Sequence, residues 1–408
     1  MKKSNVIWNT FGSVFYSACQ WIITIIVVHI ADFETAGHLS LAMTMSSSFS
    51  AISLFSMRNY QISDVQNEFS TNQYVSSRIW TCMIAFIGCV IVAPFGHSLF
   101  QAFCIIAFML IRVAEAIVDV MHGINQKYDK YDYIGLSFIY RGIVTVVVFT
   151  LCLFISKDLL LTLFVMAILN LLVAILFDCR KTYGLEKYQL VLKEAGIVVL
   201  LKKCFPLVIF TFLLSLENFI PKNVLENVNG ATELGIYSTI ASPTLVVQVF
   251  ASVVFSPFMP IFSKTYYEGK YDEFRKMLHK TYLLLVALCV VVTIGAMLLG
   301  RLGLTILFGK DILDNYYLFM PIVYCTLFTG ICWILSAIVI LLRKIKELLI
   351  AIIVDFVLCI AITYPVINEF GKNGVSIVQL ISLPVLIIMM IFICEFTSKR
   401  ALNEAENV

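Results

Sequence analysis

The stretch Leu99–Met121, LFQAFCIIAFMLIRVAEAIVDVM, followed at once by His122, decides how the chain is read. It is long and apolar enough to cross a bilayer. Yet it carries Arg112, Glu115 and Asp119, with His122 next, at spacings of three, four and three residues. At about 100° per residue these four side chains share an arc of roughly 80° on one helix face. A charge at the centre of a span costs roughly 2.5–3.5 kcal/mol on insertion scales. Such a face therefore turns toward protein or a watery cavity, and it usually has work to do. The plainer alternative is an Arg–carboxylate clamp that only holds helices together.

The composition puts the whole chain in the same setting. Of 408 residues, 60% are hydrophobic and 13% charged, and the mean hydropathy is +0.93. A soluble fold of this length does not sustain that balance, whereas a polytopic membrane protein does. The twelve cysteines, Cys19, Cys82, Cys89, Cys104, Cys152 and Cys289 among them, lie mostly in apolar runs. They show no C-x-x-C pair and no metal spacing with histidine, so they read as small apolar residues or reduced thiols. Met1-Lys2-Lys3 leads into the apolar run Ile7–Ile30 with no A-x-A-like cleavage site after it. That run reads as a retained first span.

Twelve runs have the length and character of membrane helices. The first six are Ile7–Ile30, Gly37–Met57, Ile79–Phe95, Leu99–Met121, Ile134–Ile155 and Leu159–Phe177. The second six are Cys204–Ile220, Leu234–Phe258, Tyr282–Leu299, Tyr317–Leu342, Leu348–Ile367 and Gly374–Cys394. With the N-terminus inside, twenty-three of the 29 Lys and Arg fall on inside segments, five outside, and Arg112 within the membrane. The positive-inside rule then puts both termini, Lys2 and Arg400 with them, in the cytoplasm. The longer charged segment 179–203, which includes Lys193, separates an N-terminal half, 1–178, from a C-terminal half, 204–408, with six spans each.

A weak internal echo joins the halves. Glu34-Thr35-Ala36-Gly37 precedes Ser40, and Thr232-Glu233-Leu234-Gly235 precedes Ser238, at the same separation. Equal separation after six spans implies a parallel repeat about an axis along the membrane normal.

Other polar faces flank the charged one. The first span places Asn9, Ser13, Tyr16, Gln20 and Thr24 on one face, and the second places Ser40, Thr44 and Ser47 on another. Neighbouring polar faces suggest a shared hydrated cavity; ordinary Ser/Thr packing is the alternative. In the second half, Glu217 sits near the outer end of the seventh span, before Pro221-Lys222, and Asp355 lies within the eleventh. Pro243 and Pro384 interrupt the eighth and twelfth spans as candidate kinks. There is no phosphate loop, no G-x-S-x-G elbow and no H-E-x-x-H. No outside loop is large enough for a catalytic domain, which argues against a membrane-embedded glycan polymerase or ligase.

The residues also carry a family resemblance. The run Arg58-Asn59-Tyr60-Gln61-Ile62-Ser63-Asp64-Val65 follows the second span. The fourth span and its exit give Arg112, Glu115-Ala116, Asp119-Val120, His122-Gly123, Gln126-Lys127, Asp132-Tyr133-Ile134-Gly135 and Arg141-Gly142. Ile220-Pro221-Lys222 and Leu234-Gly235-Ile236-Tyr237-Ser238 follow later. Together these resemble the bacterial polysaccharide transporter family, the Wzx-type flippases of lipid-linked oligosaccharides. That family belongs to the multidrug/oligosaccharidyl-lipid/polysaccharide exporter superfamily. The specific part of the resemblance runs from Arg58 to Gly142. Lys222 stands where the family usually has Arg, and keeps the charge without the bidentate fork.

The resemblance implies an all-α protein with twelve transmembrane helices in two six-helix lobes around a central cavity. It implies alternating access, a bacterial cytoplasmic-membrane location, and an undecaprenyl-diphosphate-linked repeat unit as substrate. It implies no enzyme activity, no cofactor and no nucleic-acid partner. Polysaccharide polymerase and chain-length proteins would be partners besides the lipid bilayer. Arg112, Arg141, Arg58 and Lys222 would meet the diphosphate head, with Asn9 and Gln20 lining the polar groove. Glu115, Asp119 and Asp355 would couple a proton or sodium ion. The close rival is a drug/cation antiporter of the same superfamily, whose cavity would favour amphipathic cations through carboxylates and aromatics.

Overall fold

Helix caps written into the sequence set where the key elements begin. The computed structural model describes residues 3–64, 67–191, 194–244, 255 and 258–406. Lys2, Val65, Lys193 and most of the expected eighth span, 245–254 with 256–257, lie outside the described residues. The first helices are α1 (Lys3–Ile30), α2 (Phe33–Leu54), α3 (Met57–Ser63), α4 (Thr71–Val92), α5 (Leu99–Lys127) and α6 (Tyr131–Ser156). Next, α7 (Leu159–Val173) runs through a π turn, Ala174–Cys179, into α8 (Arg180–Leu185), and α9 (Ala195–Asn229) follows. The remainder are α10 (Ala231–Ala241), α11 (Phe258–Tyr267), α12 (Tyr271–Phe308), α13 (Phe319–Leu341), α14 (Ile345–Phe370) and α15 (Lys372–Glu406).

No strand occurs among the described residues, so the all-helical, multi-span fold expected from the sequence is the one observed. Nine described helices are long and apolar enough to cross a membrane. Two further helices, α2 and α5, are about 33 and 43 Å long at 1.5 Å per residue. They are the serine-rich helix and the helix of the charged stripe. None of the twelve cysteines, all among the described residues, forms a disulfide.

A capping box opens α4: the Ser70 side chain accepts from Gln73 N, and Gln73 Oε1 accepts from Ser70 N. The same device, Ser98 with Gln101, opens α5. Hence α4 starts eight residues before the expected span Ile79–Phe95, and Arg78 lies two turns inside a helix. At the other end α5 runs past Met121 to Lys127, so His122 is helical too.

Between α2 and α3 the chain breaks sharply. Phe55 (φ 50°) and Ser56 (φ 48°) both adopt the left-handed conformation that side-chain-bearing residues avoid. The break restarts the chain as α3 and lays Arg58 against α5. Asp64 then secures the loop to α4, accepting the backbone N–H of Glu68 (2.8 Å) and Phe69 (3.1 Å) and the Tyr74 hydroxyl (2.9 Å). Burial raises the Asp64 carboxyl, but these three donors outweigh it and hold it below its usual range. An apolar cluster that includes Phe55, Met57, Phe69, Met121 and Leu200 packs beneath this loop.

By packing, the chain divides into two compact units, Met1–Gly235 and Ile236–Val408. In the first, α1 lies so close on α6 that a side chain at Gly12 would run into the Gly135 carbonyl, and one at Gly135 into the Trp8 carbonyl. The echoed motifs meet in the same unit. A side chain at Gly37 would strike the carbonyl of Ala231, and one at Gly235 the carbonyl of Phe33. Each glycine thus abuts the residue four before the other, the reciprocity of a two-fold contact. In the second unit, α13 and α14 both pack on α15. Pro243 sits in the 3₁₀ turn Ser242–Thr244 after α10, and Pro384 lies within α15.

Candidate functional site

The charged face of α5 meets α1, α2, α4 and α6, and its groups sort into two tiers. In the first, Arg112 donates to Glu115 Oε2 at 2.6 Å and to Ser47 Oγ at 3.1 Å. Its guanidinium also lies 5.2 Å from the Phe108 ring centre. Glu115 Oε1 accepts the Tyr16 hydroxyl and lies 3.5 Å from Arg141 Nη2. The Tyr16 oxygen in turn accepts from Arg141 (3.2 Å) and from Gln20 Nε2 (2.9 Å). Arg141 caps the Tyr16 ring at 4.9 Å.

The second tier lies one turn along α5. Asp119 Oδ2 takes Arg78 Nη2 at 2.8 Å, and Oδ1 takes Arg58 Nη1 at 3.4 Å. Arg78 also donates to the Ser53 carbonyl at 2.6 Å, where α2 ends. Arg58 reaches Gln126 Oε1 at 3.3 Å.

Both tiers share one plan. Each carboxylate is held by a sealed guanidinium and an accessible one. The Arg141 and Arg78 side chains are 2% and 0% exposed, against 18% for Arg112 and 26% for Arg58. Four guanidiniums face two carboxylates, so the two tiers carry a formal surplus of two positive charges. The sealed arginine is matched by its carboxylate, which leaves the accessible one as the surplus cation. Among the described residues, the buried Nε–H groups of Arg112, Arg78 and Arg141 have no hydrogen-bond partner.

Of the residues expected at the site, Arg112, Glu115, Asp119, Arg58, Arg141 and Gln20 come together. Asn9 is half-buried on α1, two turns from Tyr16. Lys222 is elsewhere. Just after it on α9, Asn223 Oδ1 accepts from His97 Nε2 (2.7 Å) and Glu226 accepts from Gln101. Gln101 is on the first turn of α5, about 16 Å of helix from Arg112. Asp355 is fully buried on α14 in the second unit. The expected span Ile79–Phe95 leaves Arg78 just outside a helix; the S-x-x-Q box at Ser70 is the signal that places it inside one. Tyr16 was visible only as part of a polar face. Asp178, which faces His122 from the π turn at 3.5 Å, gave no signal.

No protein-family model matches the chain. A curated relative, the capsular polysaccharide biosynthesis protein CapF of Staphylococcus aureus, is 27% identical over 336 residues, 80% of this chain and 81% of that one. Two solved structures share the fold. A multidrug resistance MATE family transporter in its inward-facing conformation superposes with a TM-score of 0.72 at 12% identity, covering 96% of both chains. The lipid II flippase MurJ, in an inward closed conformation, gives 0.71 at 15% identity over 97% of this chain and 91% of that one. These matches show that the chain has the multi-span helical fold of the MATE transporter and the MurJ flippase, and that it is similar over four-fifths of its length to a capsular polysaccharide biosynthesis protein.

Proposed function

We propose that the protein flips an isoprenoid-diphosphate-linked oligosaccharide from the cytoplasmic to the outer leaflet for surface polysaccharide synthesis. The observation that carries this is the surplus of two guanidinium charges on an intramembrane face. A diphosphate diester carries two negative charges and cannot cross hydrocarbon unaided, while its lipid tail can stay in the bilayer. Planar guanidiniums suit phosphate oxygens in bidentate pairs, and the free Arg112 Nε–H is a further donor for such an oxygen. The capsular relative supports the same substrate class.

In this reading Arg112 and Arg58 touch the head group. Arg141, sealed behind Tyr16, positions Glu115, and Gln20 positions Tyr16. Lys222 acts at the outer end of the path, and Asn9 extends the polar face of α1. Glu115 and Asp119 hold arginines, and Asp355 remains the coupling carboxylate of the second unit, for a proton or sodium ion. Both termini are cytoplasmic in the bacterial inner membrane. The lobes 1–178 and 204–408, six helices each around a central cavity and joined by 179–203, alternate access. The protein itself is not an enzyme, and works beside polysaccharide polymerase and chain-length proteins.

The shared fold of MATE transporters favours a second reading, a drug/cation antiporter. It requires carboxylates open to a cation, whereas Glu115 and Asp119 each hold two arginines. Deleting the gene separates the two. Accumulation of lipid-linked repeat units with loss of surface polysaccharide supports the flippase. Intact polysaccharide with raised ethidium retention refutes it.

A further inference from the structure

One buried titratable pair stands outside both arginine tiers. His122 on α5 and Asp178 on the π turn are each 1% exposed. His122 Nε2 lies 3.5 Å from Asp178 Oδ1. Neither that nitrogen nor either Asp178 oxygen makes a hydrogen bond among the described residues. The Phe138 ring meets the imidazole edge-on at 5.0 Å. Just past the π turn, Thr182 of α8 donates to Asn125 at 3.0 Å, which ties α8 to α5. A π turn is a costly irregularity that persists mostly where it serves a site.

An ionised carboxylate taken out of water without donors is expensive. Two oxygens and one ring nitrogen make a poor metal site, and no described group of three His, Cys, Asp or Glu is placed to hold a metal ion. The ligand that fits is a single proton, shared as imidazolium and carboxylate. We propose that His122 and Asp178 form a proton-binding site coupled to the Arg58–Asp119–Arg78 tier, so that a proton and an anionic diphosphate bind this protein cooperatively.

The coupling is electrostatic. His122 is one turn from Asp119 on the same helix face. Besides Asp178, Arg58 and Arg141 are the charged groups that act on the imidazole. Without its proton the pair adds one negative charge beside the tier and cancels its surplus cation. With the proton bound the pair is neutral, and the surplus stands. Linkage makes the effect reciprocal: the factor that the proton adds to anion affinity, the anion adds to proton affinity. The coupling rests on the arginine tiers being an anion site; the proton site does not.

The test uses full-length protein in lipid nanodiscs. Histidine resonances are followed by NMR from about pH 5 to 8, with His122 assigned by its loss in His122→Gln. His122 should take up a proton in the wild type and stay neutral in Asp178→Asn. Identical His122 titrations in the two proteins overturn the proton site. The same samples are titrated with farnesyl diphosphate. Lowering the pH across that range should tighten binding about tenfold more in the wild type than in Asp178→Asn. Equal pH dependence overturns the coupling. Absence of binding at any pH overturns the anion site and the coupling together, with the proton site still decided by the histidine titration.

Discussion

Arg78 shows how a single residue's role depends on where its helix starts. Just outside the expected span Ile79–Phe95 it would be one inside cation among many. Inside α4 it is wholly buried and bonds the Asp119 carboxylate and the Ser53 carbonyl with one guanidinium. Arg78→Met should therefore destabilise the protein by about 3 kcal/mol, the cost of leaving a charge partner and an acceptor behind in a buried site. Arg78→Lys should recover little, since one ammonium cannot span both acceptors as the fork does. Thermal unfolding in detergent measures both; a wild-type midpoint for Arg78→Met would contradict the assignment. The stripe Arg112, Glu115, Asp119 was legible because i, i+3 and i+4 spacing is a property of one helix. The partners Tyr16, Arg78 and Asp178 were not. Pairing across helices depends on which helices are neighbours, and spacing along one chain segment says nothing of that.

At the scale of elements, the close approach of α1 and α6 brings Tyr16 to Arg141 and Glu115. Gly12 and Gly135 set that approach, because each faces backbone of the other helix. Gly12→Val should push the helices apart and lengthen the Tyr16–Arg141 contact. The expected outcome is normal membrane insertion, lowered thermal stability and impaired export; unchanged stability would show that the contact is not tight. Eleven of the twelve expected spans correspond to described helices, since hydropathy fixes where a chain can cross lipid; most of the eighth lies outside the described residues. Their ends were less legible. Hydropathy fades at polar first turns such as Thr71-Asn72-Gln73, and there the capping boxes decide. The left-handed pair Phe55-Ser56 has no sequence signal of its own, as neither is a residue that favours that conformation.

Across the whole molecule, the echoed motifs at Gly37 and Gly235 proved to be contacting surfaces. A few matching residues at one separation became a reciprocal backbone contact within the first unit. The twelve-span reading expects the segment 179–203 to be cytoplasmic, by the positive-inside rule. Single cysteines introduced at Lys187 and at Lys157, in a cysteine-free background, test this in intact cells. An impermeant maleimide should label the second and spare the first; labelling at Lys187 would contradict the twelve-span topology.

The central claim is that Arg112 is present for the substrate rather than for its neighbour Glu115. Arg112→Ala should abolish surface polysaccharide while the protein still accumulates in the membrane, and Arg112→Lys should restore only part. The direct measurement is export per unit of inserted protein in the paired variant Arg112→Ala with Glu115→Gln, which removes the Arg112–Glu115 pair while Arg141 keeps the Tyr16 oxygen as an acceptor. An inserted protein that does not export is the expected result. Restored export in that paired variant would mean that Arg112 only clamps Glu115, and would contradict the account.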